Sequence, residues 1–232
     1  MKVVIMAGGL GTRLRPLTFS IPKPLLPVGE KPILEIILSK LKQQGLTDII
    51  LSVGYKSELI KTYFQDGSKF GVKIDYFEEE KRLGTAGPLR LIRDKFQIKE
   101  PFIVMNGDII TKLNFKKMMK YHLDKKADLT VGIKNHKSKT PFGVISLDED
   151  NIKEIKEKPV LTFNISAGIY IVNPELIDYI SPNEFFDMPT LIKSGVENNK
   201  TIKGYDIKEY WLGLEKLKSF DQACLQEKEW KS

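Results

Sequence analysis

Three cations, Arg13, Arg15 and Lys23, stand within eleven residues, and Gly8, Gly9 and Gly11 stand just before them. Glycine lets backbone N–H groups approach a ligand that a Cβ would hold away. Bare amides beside fixed positive charge suit a polyphosphate. The spacing excludes two better-known phosphate loops. No Gly-Lys-Ser/Thr follows the glycines, and Leu14 stands where a GxGxxG pattern begun at Gly9 needs its last glycine. A second glycine-rich stretch, EEEKRLGTAGPL (78–89), places Gly84, Thr85 and Gly87 shortly after Glu79. There a base and ribose can lie against bare backbone, or residues 78–80 are simply an exposed acidic loop. Asp108 closes PFIVMNGD (101–108). A carboxylate at a strand end either holds Mg2+, which prefers hard oxygen ligands, or caps a helix. Glu157-Lys158 alone reads as an ordinary surface pair. His122 and His136 have no neighbours with metal-ligand spacing.

The elements that must position these groups follow from periodicity. Val3 to Met6 is a buried strand running straight into the glycine loop. Pro32 opens a helix with Ile33, Leu34, Ile37, Leu38 and Leu41 at helical spacing, and Gly45 ends it. DIILSV (48–53), VKIDYF (72–77) and PFIVMNGD are further strands. Between them lie a helix carrying Leu59, Ile60 and Phe64 on one side, stopped at Asp66-Gly67, and another over 86–96. Phe115 to Leu123 is helical again. Strand–helix alternation predicts a parallel sheet with helices on both faces and ligands at the carboxyl ends of its strands, where the glycine loop and Asp108 both fall. The later chain reads differently: strands at 127–133, 142–147, 152–156 and 167–172 with short connections, helices at 174–180 and 189–197, strands over 201–207 and YWL, and a closing helix from Leu217 to Trp230.

Composition narrows the class. At 232 residues, 41% hydrophobic and 29% charged, the chain is ordinary globular material able to bury a substantial core. Its apolar runs are too short to span a bilayer, and no leader is visible before the first strand. Cys224 is alone, so no internal disulfide forms, which fits a reducing cytoplasm; its helical neighbours predict a buried or half-buried thiol. The net charge of +7 is spread along the chain with few interleaved aromatics, so no nucleic acid is expected. A phosphate-rich substrate explains the basic balance equally well.

GGLGTRLRPLT followed by PKPLLPVG resembles the signature of the sugar-1-phosphate nucleotidyltransferases, or nucleotide-sugar pyrophosphorylases, and the resemblance runs from Met1 to about Ala223. LGTAGPL is similar to the mannose-1-phosphate guanylyltransferase branch. PFIVMNGD, SAGIY, FFDMP and EYWLGLE resemble guanylyltransferases for amino-sugar 1-phosphates that feed surface glycans. The resemblance implies a Rossmann-like three-layer α/β/α fold with a mostly parallel central sheet, of the GT-A-like kind. It also implies one domain over 1–232, with a nucleotide-binding half (about 1–110) and a sugar-phosphate-binding half (about 111–232). It implies an NTP, GTP favoured, and a sugar 1-phosphate as substrates, with Mg2+ as cofactor; a homo-oligomer stays open.

Residue by residue, the resemblance assigns Arg13, Lys23 and Asp108 to catalysis, Asp108 as metal ligand. Ala7, Gly8, Gly9, Gly11, Thr12, Glu79, Gly84 and Thr85 would bind the nucleotide. Glu79 would face the base, where a carboxylate accepts from both N1–H and the N2 amino group of guanine; uracil and thymine offer one donor on that edge. Gly143, Glu157, Lys158, Ser166 and Gly168 would bind the sugar phosphate. One departure stands out: the family's Trp-x-Asp-x-Gly element reads Trp211-Leu212-Gly213-Leu214-Glu215, so the second metal carboxylate is missing. If that strand continues, Glu215 faces the same side as position 213, about 7 Å further on. Two rival readings follow: a catalytically impaired nucleotide-sugar-binding relative, and a nucleotidyltransferase for a non-sugar phosphate acceptor.

Overall fold

The computed structural model describes residues 1–231. In chain order its elements are β1 (Lys2–Met6), β2 (Pro27–Val28), β3 (Lys31–Pro32), α1 (Ile33–Gln43), β4 (Asp48–Val53), α2 (Ser57–Phe64), β5 (Lys73–Glu78), α3 (Gly87–Lys95) and β6 (Phe102–Asn106). There follow β7 (Ile109–Thr111), α4 (Phe115–Asp124), β8 (Leu129–Lys139), β9 (Val144–Asp148), β10 (Asn151–Lys156), β11 (Val160–Val172), α5 (Met188–Glu197), β12 (Ile202–Asp206), β13 (Trp211–Gly213), α6 (Leu217–Leu225) and α7 (Glu227–Lys231).

Seven strands form the central sheet in the order β12-β8-β11-β6-β1-β4-β5. Every neighbouring pair is parallel except those made by β11, which runs antiparallel to both β6 and β8. The central strands are near-continuous apolar runs because both faces are covered. Alternation then divides them. Val3, Ile5, Ile49, Leu51, Ile103 and Met105 join one core with α1, α2 and α4, whereas Val4, Ile50, Val104 and Tyr170 join a second with α3 and α5. These are the three layers that the strand–helix alternation predicts.

Local differences from the sequence reading have physical causes. α2 buries Ser57, Ile60 and Phe64, but Leu59 lies a third of a turn away and is exposed. Residues 174–179 form a 3₁₀ helix rather than an α-helix. The expected closing helix is two, α6 and α7, parted at Gln226. Cys224 faces solvent on α6 rather than the core; its neighbour Ala223 takes the buried position. His122 on α4 is a core residue held by Thr130 Oγ1 and Asn173 Oδ1, each at 2.9 Å. No helix among the described residues is long and apolar enough to cross a membrane.

The four parallel strands β5, β4, β1 and β6 end on one edge, and sheet-like bonds continue into the loops beyond them. Ala7 N–H donates to Ser52 O at 2.7 Å, Glu79 N–H to Val53 O at 2.9 Å and Gly107 N–H to Met6 O at 2.9 Å. The loops after β1, β5 and β6 are therefore pinned side by side, although they are far apart in sequence.

Candidate active site

A cavity of about 540 Å³ opens at that edge. Its size lies within the range of ordinary small-molecule sites. The loop after β1 makes its floor with Ala7, Gly8, Gly9, Gly11, Thr12 and Arg13. A Cβ added at Gly9 would meet no atom within 4 Å, so Gly9 is not a packing glycine; it leaves backbone bare toward open space. Gly11 has φ +61°, and Thr18 Oγ1 donates to its carbonyl at 2.8 Å, which fixes the turn that carries Arg13.

Two ion pairs cross this cavity. Lys23, in a 3₁₀ turn with only 16% of its side chain exposed, pairs with Asp108, 22% exposed, in the turn between β6 and β7. Arg13 Nη1 donates to Glu215 Oε2 at 2.8 Å, nearer solvent. The third basic residue of the loop takes no part: the Arg15 guanidinium lies over the Phe19 ring, 5.0 Å from its centroid.

Glu79 forms the side wall. Its carboxylate accepts from Ser52 Oγ at 2.9 Å and abuts Gly8, where an added Cβ would come 2.7 Å from Oε1. Burial pushes the Glu79 carboxyl above its ordinary value of 4.5; the Ser52 hydroxyl, the Leu83 N–H and the Arg82 charge pull the other way without cancelling it. The loop after β5 supplies Gly84 and Thr85 to the same wall. Their backbone is clamped to residues 185–188. Phe186 N–H donates to Leu83 O at 2.8 Å, Ala86 and Gly87 N–H both donate to Phe186 O, and Met188 N–H donates to the Thr85 hydroxyl at 2.9 Å. Gly84 sits at φ +83°, and an added Cβ would come 2.5 Å from Phe186 O. Gly84→Ala should therefore destabilise by clearly more than about 1 kcal/mol, since both the backbone angle and the contact oppose it. A urea melt checks this, and an unchanged midpoint would remove the clamp from the account.

The catalytic and nucleotide residues expected from sequence, from Ala7 to Asp108, thus line one cavity. The sugar-phosphate residues do not. Glu157 and Lys158 are exposed and paired with each other at 3.7 Å, and Gly143 lies beside Glu157, where an added Cβ would be 3.1 Å from Oε2. All three stand on the long ribbon beyond the sheet. Ser166 bonds to Tyr170 OH at 2.9 Å. Gly168, at φ +66°, lies directly behind Asn106 of the cavity wall: an added Cβ would come 2.6 Å from Asn106 Nδ2. The register of β11 shifts between Ser166 and Tyr170 to pass this point.

Glu215 does line the cavity, but not by the route expected. The strand stops at Gly213, and Glu215 reaches in from the following turn to meet Arg13. Gly213 pairs with Ile109, and Leu214 N–H donates to Asp108 O at 2.8 Å, so position 213 lies alongside Asp108. Sequence reasoning missed Arg82 and Phe185, which also line the cavity. Phe185 is 69% exposed there; it lies in FFDMP, a string that carried the resemblance but was given no site role, just before the Asp187 cap of α5. Among the described residues no group of three or more His, Cys, Asp or Glu could hold a metal ion. Asp108, with Glu215 lining the same cavity, would offer hard oxygen ligands to a magnesium ion rather than a closed protein cage.

The nucleotidyl transferase family model matches residues 2–229. The mannose-1-phosphate guanyltransferase of Schizosaccharomyces pombe is 35% identical over 231 residues, covering 95% of this chain and 62% of that protein. The UTP–glucose-1-phosphate uridylyltransferase of Synechocystis is 34% identical, covering 96% and 62%. The crystal structure of HddC from Yersinia pseudotuberculosis complexed with GMP-PN superimposes with a TM-score of 0.76 at 29% identity, covering 97% of this chain and 99% of that one. The chain spans roughly half to three fifths of the length of the curated relatives it matches. Matched over almost all of its length and carrying the glycine loop, paired cations and strand-end carboxylate in one cavity, the chain belongs to the nucleotidyl transferase family.

Proposed function

We propose that this protein transfers a nucleoside monophosphate from an NTP, preferably GTP, to a sugar 1-phosphate. A phosphate oxygen of the sugar attacks the α-phosphorus in line; the bond from that phosphorus to the bridging oxygen of the β-phosphate breaks, and pyrophosphate leaves with the electron pair. The attacking oxygen is already ionised, so no strong general base is needed, and the work is positioning and charge neutralisation. Arg13 holds the leaving β,γ-phosphates and Lys23 meets the α-phosphate. The bare amides around Gly9 cradle the polyphosphate. Asp108 would hold a magnesium ion, which would supply Lewis-acid charge to the transfer. In this reading residues 1–110 bind nucleotide and 111–232 sugar phosphate, with Glu157 and Lys158 addressing the acceptor. A role in activated-sugar supply for surface glycans, and a cytoplasmic place, fit the substrates and the lone cysteine.

The observation that carries the reading is the pairing of Lys23 with Asp108 on the floor of a glycine-lined cavity. Gly213 favours one other reading, a relative that binds nucleotide-sugars and turns over poorly. A pyrophosphate-release panel of four NTPs against several sugar 1-phosphates and non-sugar phosphates separates them. No product with tight nucleotide-sugar binding would leave the binding-only reading.

Relatives that use guanine and uracil both match this chain, so base choice rests on Glu79. Two hydrogen bonds from guanine require its ionised carboxylate. Glu79→Gln should cost roughly tenfold to a hundredfold in GTP-over-UTP selectivity, the worth of one bidentate base contact. Since burial raises the Glu79 pKa, KM for GTP should climb as pH falls through a point above 4.5, and the Gln variant should lose that rise. Wild-type preference for UTP or dTTP in kcat/KM would sink this assignment.

A further inference from the structure

Among the described residues the long ribbon beyond the sheet is almost wholly exposed. β12 pairs with β8 only from Leu129 to Ile133, and β6 pairs with β11 only from Ile169 to Val172. Beyond those limits β8 and β11 pair with each other alone, from Lys134–Ile165 out to Lys139–Val160, and Thr140 N–H still donates to Pro159 O at 3.0 Å. The β9–β10 hairpin continues outward from there. A two-stranded ribbon in water is marginal without something packed on a hydrophobic face.

Such a face is present. Ile145 stands opposite Ile155, and Leu147 opposite Ile152. Residues directly opposite in a ladder share a face, and so do Ile145 and Leu147, two apart on one strand. Ile152 and Ile155 are three apart, so simple alternation would send them to opposite sides. The register shift between Ile152 and Glu154 inserts one residue and returns both to the same side. A bulge that gathers four aliphatic side chains onto one face, while Ser146, Asp148, Glu154 and Lys156 lie off it, builds a surface. The four are 49%, 61%, 67% and 63% exposed in chain order, and Phe142 at the hairpin base is 71% exposed. Taking about 200 Å² for a large side chain, the four present on the order of 500 Å² of apolar surface. That is in the upper part of the range of roughly 300–600 Å² for the largest patch on a monomer.

We propose that this hairpin face seats the same face of a second copy of the chain. An aliphatic face without charge is self-complementary, as a twofold contact requires. Two such faces bury about 1,000 Å², the least that a specific interface should clear. The hairpin also carries Asp148, Glu149, Asp150 and Glu154 against Lys153 and Lys156. Its acidic balance disfavours an anionic lipid surface or a nucleic acid as occupant. The proposal stands apart from the reaction assigned above, because none of these residues lines the cavity.

Sedimentation velocity of the full chain tests it. At about 20 μM, where an interface of this size should be populated, the expected mass is twice the chain's 26.5 kDa. Ile145→Lys with Ile155→Lys should give the single-chain mass, and Leu147→Thr, a milder change that keeps a strand-forming residue, should weaken association at least tenfold. Leu225→Lys, on an exposed α6 residue away from the ribbon, should change nothing. A thermal melt confirms that each variant is folded; should the double variant unfold, Leu147→Thr decides. A wild type at single-chain mass overturns the proposal. So does a dimer indifferent to the hairpin variants, or one lost equally in Leu225→Lys.

Discussion

Lys23→Ala is expected to lower kcat about 100- to 1000-fold, the usual loss when one preorganised charge is taken from a transition state. The backbone around Lys23 does not depend on its side chain. Leu25 N–H and Leu26 N–H close the 3₁₀ turn on Pro22 O and Lys23 O, and Leu26 is buried in the core. What the substitution leaves behind is Asp108, mostly covered and without its ammonium. That costs on the order of 1 kcal/mol of stability, small beside the kinetic effect. Lys23→Arg should recover little, because a planar fork does not replace a compact point charge in a tight turn. Steady-state pyrophosphate release with a urea melt on the same sample measures both quantities. Turnover close to wild type would remove Lys23 from the mechanism.

The second large effect concerns an added group. Gly213 pairs with Ile109 beside Asp108, which is where a second carboxylate would reach a shared metal. Wild type is therefore expected to need unusually high Mg2+ for activity. Gly213→Asp should lower the Mg2+ needed for half-maximal rate and raise turnover. A direct ligand should matter at least as much as the outer-shell partners whose loss costs about 10- to 100-fold in metal affinity. The backbone permits the change. Gly213 is not among the glycines with positive φ, and an added Cβ would make ordinary contact with the Trp211 ring at 3.5 Å and 3.7 Å. A folded Gly213→Asp protein with unchanged Mg2+ dependence would show that position 213 is not the metal position. Glu215→Gln would then be the variant to make. Its present partner is Arg13, so losing Mg2+ activation there, rather than merely raising KM for the NTP, is the discriminating result.

The legible parts of this molecule are those that short windows encode. The strands DIILSV and PFIVMN are apolar because both sheet faces are covered, and the glycine loop declares itself by composition and by Arg13 and Lys23 nearby. The ribbon was half missed. Residues 134–139, KNHKSK, are polar and, past Lys134, exposed, so no hydrophobic period marks them as strand, yet β8 runs to Lys139 because β11 supplies its ladder. The ion pairs were unreadable for a different reason. Lys23 and Asp108 are 85 residues apart, Arg13 and Glu215 are 202 apart, and only the shared edge of the sheet brings them together. Phe185 belongs to the cavity through backbone bonds from its neighbour Phe186 to the 83–87 loop, a contact no local pattern announces.

Both cations that the proposed reaction directs at the phosphates already hold a carboxylate. Asp108 and Glu215 act as internal counterions to Lys23 and Arg13. Under the proposed reaction an incoming triphosphate would have to displace them, so its binding would be an exchange of anions rather than a capture by vacant charge. Dissolved salt weakens the pairs being broken along with the pairs being made, and affinity should vary with ionic strength less steeply than two free cations would dictate. The exchange also sets an order. Under the proposed reaction the Asp108 carboxylate would be released only when a phosphate has taken its ammonium, so nucleotide arrival would be the event that makes that carboxylate available to a cation.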